Sequence, residues 1–400
     1  MSRAPVSPRF AVFLIVLLDI MGVGLIIPVQ PFLAQHFGAT TTVVTLLGAT
    51  YSLMQFTWAP LWGGFSDRLG RKPVLLVTIA ITFIGHIAFA ASSSLLTLFA
   101  ARALAGIGAA NIATAQAVLS DTHAPAERSR AMALIGVAFG VGFILGPLLG
   151  GLLSQLDYRA PAIFAALLAL LNVVFVWLRL EETRNTTQHP TALRTAPCLR
   201  VRAMFSAPGE LQRLILTTLL TMTAFSIMEQ SISLYIGALW VPEGVSERIK
   251  LASRLTSTYL VTVGFTAIIV QGFLVRRWLK SSAELTIVRV GLTTLVLSLI
   301  LLPILGAIGN FQLFLLSGAT LALGSGLFNP TMAGLVSKTC SEENQGLGLA
   351  MNQSAAALGR IIGPTVAGAL LATNVSAPFL TGAALTACAL FVSFKVRVSR

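Results

Sequence analysis

The strongest constraint on this chain is an alternation. Apolar runs, each close to the ~20 residues a helix needs to cross a bilayer, are separated by short polar or charged segments along its whole length. The runs fall near 10–33, 43–65, 74–91, 95–118, 131–153 and 160–179, and again near 210–237, 252–275, 285–305, 310–334, 347–372 and 376–396. Backbone inside hydrocarbon has to satisfy its own N–H and C=O groups, so runs of this kind are helical. The reading is an all-α integral membrane protein: twelve transmembrane helices in two pseudo-symmetric six-helix bundles, 1–179 and 209–400, joined by a cytoplasmic linker at 180–208. Composition agrees, with 56% hydrophobic and 10% charged residues where a soluble domain carries about a quarter charged.

A net charge of +13 would point to nucleic acid in a soluble chain. Here the basic residues lie where the alternation puts cytoplasmic loops, so no nucleic-acid partner is expected and the lipid bilayer accounts for them. With both termini inside, only Arg159, Arg248, Lys250 and Arg254 fall outside, an inner-to-outer ratio of about five to one. An odd number of spans would scramble it. Arg3 and Arg9 precede the first run, which is about span length and has no small-residue cleavage site, so it is expected to be retained. Cys198, Cys340 and Cys388 have no metal-ligand or redox spacing, and neither metal, cofactor nor disulfide framework is expected.

Between the second and third runs sits Gly63-Gly64-Phe65-Ser66-Asp67-Arg68-Leu69-Gly70-Arg71-Lys72-Pro73. Gly63 and Gly70 suit a tight reversal, Pro73 suits a helix start, and Arg68, Arg71 and Lys72 mark the cytoplasmic side. Gly63, Phe65, Ser66, Asp67, Arg68, Gly70, Arg71 and Lys72 resemble, in order, the loop after the second span of the major facilitator superfamily. That resemblance implies spans 1, 4, 7 and 10 around a central cavity. It also implies that Asp67 meets the amino end of the eleventh helix, near 347–351, and that Arg71 meets Asp121.

The halves repeat one another. Gly142-x-x-x-Gly146-Pro147-x-x-x-Gly151 in the fifth span returns as Gly359-x-x-x-Gly363-Pro364-x-x-x-Gly368 in the eleventh. Small residues at every fourth position let helices approach closely, and an internal proline permits a bend. Gly142, Gly146, Pro147, Gly150 and Gly151 resemble the antiporter motif of the superfamily, which implies efflux, with the seam as a surface on which the halves rock. The second copy of the charged loop, Gly272-Phe273-Leu274-Val275-Arg276-Arg277, has no aspartate.

Four ionisable residues lie inside spans: Asp19, Arg102, Glu229 and Arg360. An arginine at membrane depth costs at least about 2.5–3.5 kcal/mol on insertion scales, so Arg102 should face a cavity or an acid, with Asp19 the obvious candidate. A carboxyl group without a counter-charge in oil keeps its proton until a cation drives it off, so proton and cationic cargo compete for it. His86, in the third span, reads as a packing residue. Leu98-x-x-x-Arg102-x-x-x-Gly106-x-Gly108 resembles a fourth-span motif of the superfamily, with Ala105 where glutamine is usual. The stretch from Leu18-Asp19 to Pro31, Tyr51–Phe56, Asp121 and Glu127-Arg128 resemble the tetracycline and multidrug efflux branch. There the fourth-span arginine and embedded carboxylates are implied to link proton and drug movement.

Polar or pliable span residues that could line a cavity are Gln30, Gln55, Asn111, Gln116, Met228, Tyr235, Tyr259, Asn329 and Asn352. The expected function is proton-driven efflux of a small lipophilic or cationic compound by alternating access, by a monomer in the bacterial inner membrane that uses the proton gradient and no cofactor. A sugar, metabolite or siderophore exporter is the alternative. No phosphate-cradling Gly-x-x-x-x-Gly-Lys-Ser/Thr is present, so ATP does not drive it directly. A membrane enzyme would need a constellation such as His-Glu-x-x-His, and a sensor a substantial soluble domain; neither pattern occurs.

Overall fold

A computed structural model of the chain describes residues 7–122, 125–183, 209–242, 247–278, 283–340 and 345–396, and every regular element among them is helical. Most of the linker with Cys198, Lys280, and the side chains of Glu127, Arg128 and Arg276 lie outside the described residues. The first repeat comprises α1 (Pro8–Ile26), α2 (Gln30–His36), α3 (Thr41–Leu69), α4 (Arg71–Ala90), α5 (Leu95–Gly108), α6 (Ile112–Thr122), α7 (Pro125–Leu153) and α8 (Ala160–Arg179). The second comprises α9 (Gly209–Trp240), α10 (Arg248–Ile269), α11 (Val275–Trp278), α12 (Glu284–Ala307), α13 (Phe311–Thr339), α14 (Gln345–Thr373) and α15 (Ala377–Phe394).

Local sequence explains many boundaries. The Ser7 hydroxyl accepts from the Phe10 amide at 3.4 Å and Pro8 opens α1, while Pro28 and Pro31 bracket the bend into α2. Ser94 and Thr97 form a reciprocal capping box at the start of α5. A single 3₁₀ turn, Ala109–Asn111, joins α5 to α6, so the fourth span is one interrupted helix. A π turn, Val270–Leu274, closes the eighth span at the degraded loop copy.

Eleven of these spans are long and apolar enough to cross a membrane, and α3, at 29 residues, is the remaining long helix. Its Thr, Ser, Gln, Trp, Asp and Arg residues make it less apolar than its neighbours. Large apolar side chains on α8, among them Ile163, Leu167, Leu171, Val174 and Trp177, point outward, as lipid-facing positions do. The fold is that of a multi-pass helical membrane protein.

The helices sort into two compact units: Met1–Ala39, Thr50–Arg194 and Ile249–Ser257, and Thr40–Ala49, Thr195–Arg248 and Thr258–Arg400. The start of α3 therefore belongs with the second unit and the start of α10 with the first. Each unit is wired alike. In the first, α1 packs on α7 and α8, and α4 on α5 and α8; in the second, α9 packs on α14 and α15, and α12 on α13 and α15. The first core joins Val12, Ile15, Val16, Leu75, Ile79, Val118, Leu119 and Val176, all buried.

The charged loop differs from its sequence reading. Gly63 to Leu69 complete α3, and the reversal is made by Gly70 alone, the one glycine of this stretch with a positive φ. Gly63 is helical, not a turn residue, because Ser66 bonds back to its carbonyl at 3.0 Å and an uninterrupted helix ladder leaves it no freedom to use.

Candidate functional site

Gly70 turns the chain with φ 109° and ψ 160°, a region closed to residues with a Cβ, and caps α4 without a side chain of its own. The missing cap comes from beyond α8. One Glu182 oxygen accepts from the Arg71 amide at 2.8 Å and the other from the Lys72 amide at 3.1 Å. Lys72 Nζ donates to the Trp177 carbonyl at 2.9 Å. Arg71 then reaches inward: Nε donates to Asp121 Oδ2 at 2.8 Å, and Nη1 donates to Ser66 Oγ at 2.8 Å and to Asp67. The Arg71–Asp121 contact matches the expectation from the resemblance, and Asp67 is paired with Arg71. Arg68 stays exposed. Glu182 falls in the expected linker, and the sequence signal for its role is a helix start whose N-cap is glycine, with an acid just past a span end.

Gly70→Ala is expected to lower stability by about 2 kcal/mol or more, because the added Cβ meets both a forbidden φ and the Glu182 carboxylate. Thermal unfolding of the purified variant measures it, and an unchanged midpoint would remove Glu182 from this role.

Deeper in the first unit, Asp19 on α1 and Arg102 on α5 are both 6% exposed. Asn111, on the 3₁₀ turn, is buried, and its Nδ2 has no partner among the described residues. The Arg102 guanidinium lies over the Tyr51 ring, 4.3 Å from its centre, a favourable seat for a cation out of water. Gln55 Nε2 donates to the Ala109 carbonyl at 3.1 Å, which ties α3 to the 3₁₀ turn carrying Asn111. His86, read from sequence as a packing residue, is 1% exposed, and its Nδ1 has no partner among the described residues. In the second unit, Glu229 on α9 and Arg360 on α14 are half-buried, each engaged in a polar interaction of its own.

The glycine stripe seats α7 on α1. A Cβ at Gly142 would meet the Ile20 side chain at 2.8 Å, at Gly146 the Gly24 Cα at 2.8 Å, and at Gly150 the Leu25 backbone. Pro147 Cδ lies 2.9 Å from where a Gly24 Cβ would stand. The second copy does the same, with Gly359 and Gly363 against Met222 to Ile227 of α9 and Pro364 inside α14. Gly151 faces Ser257 within the first unit, and Gly368 faces Thr42 and Thr45 within the second, where Thr42 Oγ1 donates to the Gly368 carbonyl at 3.2 Å. Most of the stripe is thus a packing seam inside each unit, because the first helix of each repeat presents the facing groove.

Residues 12–305 and 244–400 match the family model of the Major Facilitator Superfamily. The chain belongs to this superfamily. It is 29% identical over 377 residues to the class C tetracycline resistance protein of Escherichia coli, covering 92% of each chain. It is 30% identical to the class E protein of the same organism, covering 88% of this chain and 85% of that one. Major facilitator superfamily domain-containing protein 10 of Bos taurus is 28% identical over 86% of this chain and 75% of its own length. The crystal structure of the human organic anion transporter MFSD10 superposes with a TM-score of 0.71 at 25% identity, covering 96% of this chain and 98% of that one. The nucleoside transporter NupG shares the fold, with a TM-score of 0.77 at 14% identity over 98% of this chain and all of that one.

In this superfamily member the remaining candidates divide sharply by environment. Gln116 and Asn329 are exposed, while Gln30 is buried at the start of α2. Asn352 accepts from Thr218 Oγ1 at 2.6 Å. Met228, Tyr235 and Tyr259 are sealed in the second unit's core, with Tyr235 edge-on to Phe379 at 4.9 Å and Tyr259 against Phe314 at 5.2 Å. Both tyrosines are buried here against aromatic neighbours.

The second unit also holds a pair the sequence concealed. Glu284, first in α12, binds Lys338, near the end of α13, at 2.8 Å. Arg71, first in α4, and Asp121, near the end of α6, occupy the matching places with the signs exchanged.

Proposed function

We propose that the chain is a secondary efflux transporter that exchanges protons for a small lipophilic or cationic compound of the tetracycline type, by alternating access. The observation that carries this is the buried charge layer of the first unit, Asp19 and Arg102 on two spans, in a chain similar along most of its length to tetracycline resistance proteins. A carboxyl group in that layer exchanges a proton for a passing cation, and an arginine beside it competes for the same charge. Glu229 and Arg360 supply the second unit's half of the exchange. Asp67, released from Arg71, would latch the amino end of the eleventh span in one of the two states, and a weak latch is suitable, since it must bias a conformation without locking it. In this reading the protein works as a monomer in a bacterial inner membrane with both termini cytoplasmic. The proton gradient drives it, and it does no covalent chemistry.

A second reading is export of an organic anion, favoured by the similarity to a human organic anion transporter over nearly the whole chain. There Arg102 would hold the cargo and Asp19 would be displaced by it.

Release of protons from purified protein on addition of tetracycline or tetraphenylphosphonium, compared for wild type, Asp19→Asn and Glu229→Gln, tests the proposal. Release should fall at least about tenfold in Asp19→Asn. Unaltered release in both variants would refute the carboxylate assignment. Proton uptake on adding an organic anion such as fluorescein, with no release for the cations, would select the second reading.

A further inference from the structure

His86 is almost fully buried on α4, one residue after Gly85, where that helix lies close against α5. A Cβ at Gly85 would stand 2.8 Å from the Ala105 nitrogen and 3.2 Å from the Ala101 carbonyl oxygen, so the α4 and α5 backbones touch on either side of Arg102. The other edge of the imidazole faces α1: Nε2 lies 3.1 Å from where a Gly22 Cβ would be, three residues beyond Asp19 on the same helical face. Nδ1 is buried with no partner among the described residues. An orphaned ring nitrogen in a buried layer is costly and asks for an explanation.

The elements packed on His86 carry few charges. Against α4 lie α5 with Arg102, α6 with Asp121, α8 with Arg179 in its last turn and the 3₁₀ turn with none, and Gly22 brings α1, with Arg9 and Asp19, to the ring. Asp121 is tied to Arg71, fifteen residues before His86 and so about 22 Å along the helix. Arg9 and Arg179 stand at helix ends. That leaves Arg102 and Asp19 as the charges of this layer.

We propose that His86 is a proton-accepting switch of the first unit, protonated only when the Arg102 guanidinium leaves its seat over Tyr51. Neutral imidazole has one N–H and one lone pair. A proton from water adds to the lone-pair nitrogen, and the resulting cation cannot remain beside a second cation in low dielectric. Proton uptake and the seating of Arg102 therefore exclude each other, and loss of the proton to water, or to an ionised Asp19, lets Arg102 return. The inference refines the proton-coupling reading above and rests on it for its place in a transport cycle, but the exclusion itself is a property of the resting protein.

The chain has four histidines, so ¹⁵N-histidine spectra of the full-length protein in nanodiscs are tractable, with His86→Gln identifying the signal. In Arg102→Gln the His86 resonance should shift to its protonated position at a pH higher by about one unit or more than in wild type. Arg102→Lys keeps the charge and should behave as wild type. Identical titration in wild type and Arg102→Gln overturns the proposal, as does a His86 signal already protonated in wild type near neutral pH. Tetracycline-induced proton release is measured alongside it. Its absence in wild type defeats the coupling reading while the spectra still decide the exclusion. Where wild type does release protons, His86→Gln should flatten the pH dependence of that release, and an unchanged profile counts against His86.

Discussion

Replacing Gly146 with valine is expected to abolish transport and to remove about 3 kcal/mol or more of stability, the upper end of what overpacking a helix contact costs. The reason is what the new atoms would meet. A Cβ at Gly146 lies 2.8 Å from the Gly24 Cα and 2.9 Å from the Met21 carbonyl oxygen. Both are backbone, so no side chain can swing aside and the only relief is to part α1 from α7. That separation would also displace Asp19, since both seam and carboxyl ride on α1. Gly363→Val in the second unit meets the Ser226 Cβ at 2.5 Å and the Ile227 backbone nitrogen at 3.0 Å, neither of which a rotamer change can move. Its cost should be similar. Gly140→Ala on the same helix as Gly146 meets nothing within 4 Å, and alanine there is expected to raise stability by up to about 1 kcal/mol through helix propensity. Thermal unfolding of the three variants in one detergent, with transport in proteoliposomes, measures the series. Wild-type stability in Gly146→Val would mean that the α1–α7 seam is not tight.

The transmembrane architecture was legible because hydrocarbon leaves the backbone one option and the alternation marks each use of it. The motif loop was legible too, as far as the Arg71–Asp121 pair. What sequence did not carry was anything set by helix rotation. The stripe from Gly142 to Gly151 announces close approach but not the partner, and only the packing of α7 on α1 shows that it joins neighbours within a unit. Tyr235 and Tyr259 are polar at one atom and apolar in bulk, so composition does not reveal that they pack against Phe314 and Phe379. His86 is buried as a packing residue would be, but its neighbours were not legible. A lone histidine in an apolar span is usually a packing residue, and its orphaned nitrogen and its place beside Arg102 arise from the α4–α5 contact, which no local pattern encodes. Glu182 and the Glu284–Lys338 pair escaped because each joins residues far apart in the chain.

The exchanged polarity of the two helix-end pairs gives the second large expectation. Glu284 at an amino end and Lys338 near a carboxyl end both suit their helix dipoles, whereas Arg71 at the start of α4 and Asp121 near the end of α6 both oppose theirs. Polarity that local electrostatics disfavours has to be held by something else. In the first unit that is burial and a network: Arg71 and Asp121 side chains are 12% and 11% exposed, Arg71 also bonds Ser66 and Asp67, and the Glu182 carboxylate sits on the α4 amino end in Arg71's stead. Arg71→Ala strands two carboxylates and is expected to cost about 2 kcal/mol, less than the loss of a fully buried partner. Removing Asp121 in the same molecule should recover at least about 1 kcal/mol of that, the mark of a coupled pair in a double-mutant cycle. The same cycle on Glu284 and Lys338, whose lysine is 67% exposed, should give a coupling of about 0.5 kcal/mol or less. Transport should follow the same order, with Arg71→Ala slowed at least about tenfold, since 1.4 kcal/mol in a rate-limiting equilibrium is a factor of ten, and Lys338→Ala close to wild type. Equal couplings in the two units would mean that polarity reversal is an accident of the repeat, because a pair that only staples helices gains nothing from opposing their dipoles, whereas one that must open and close is better placed where its release costs less.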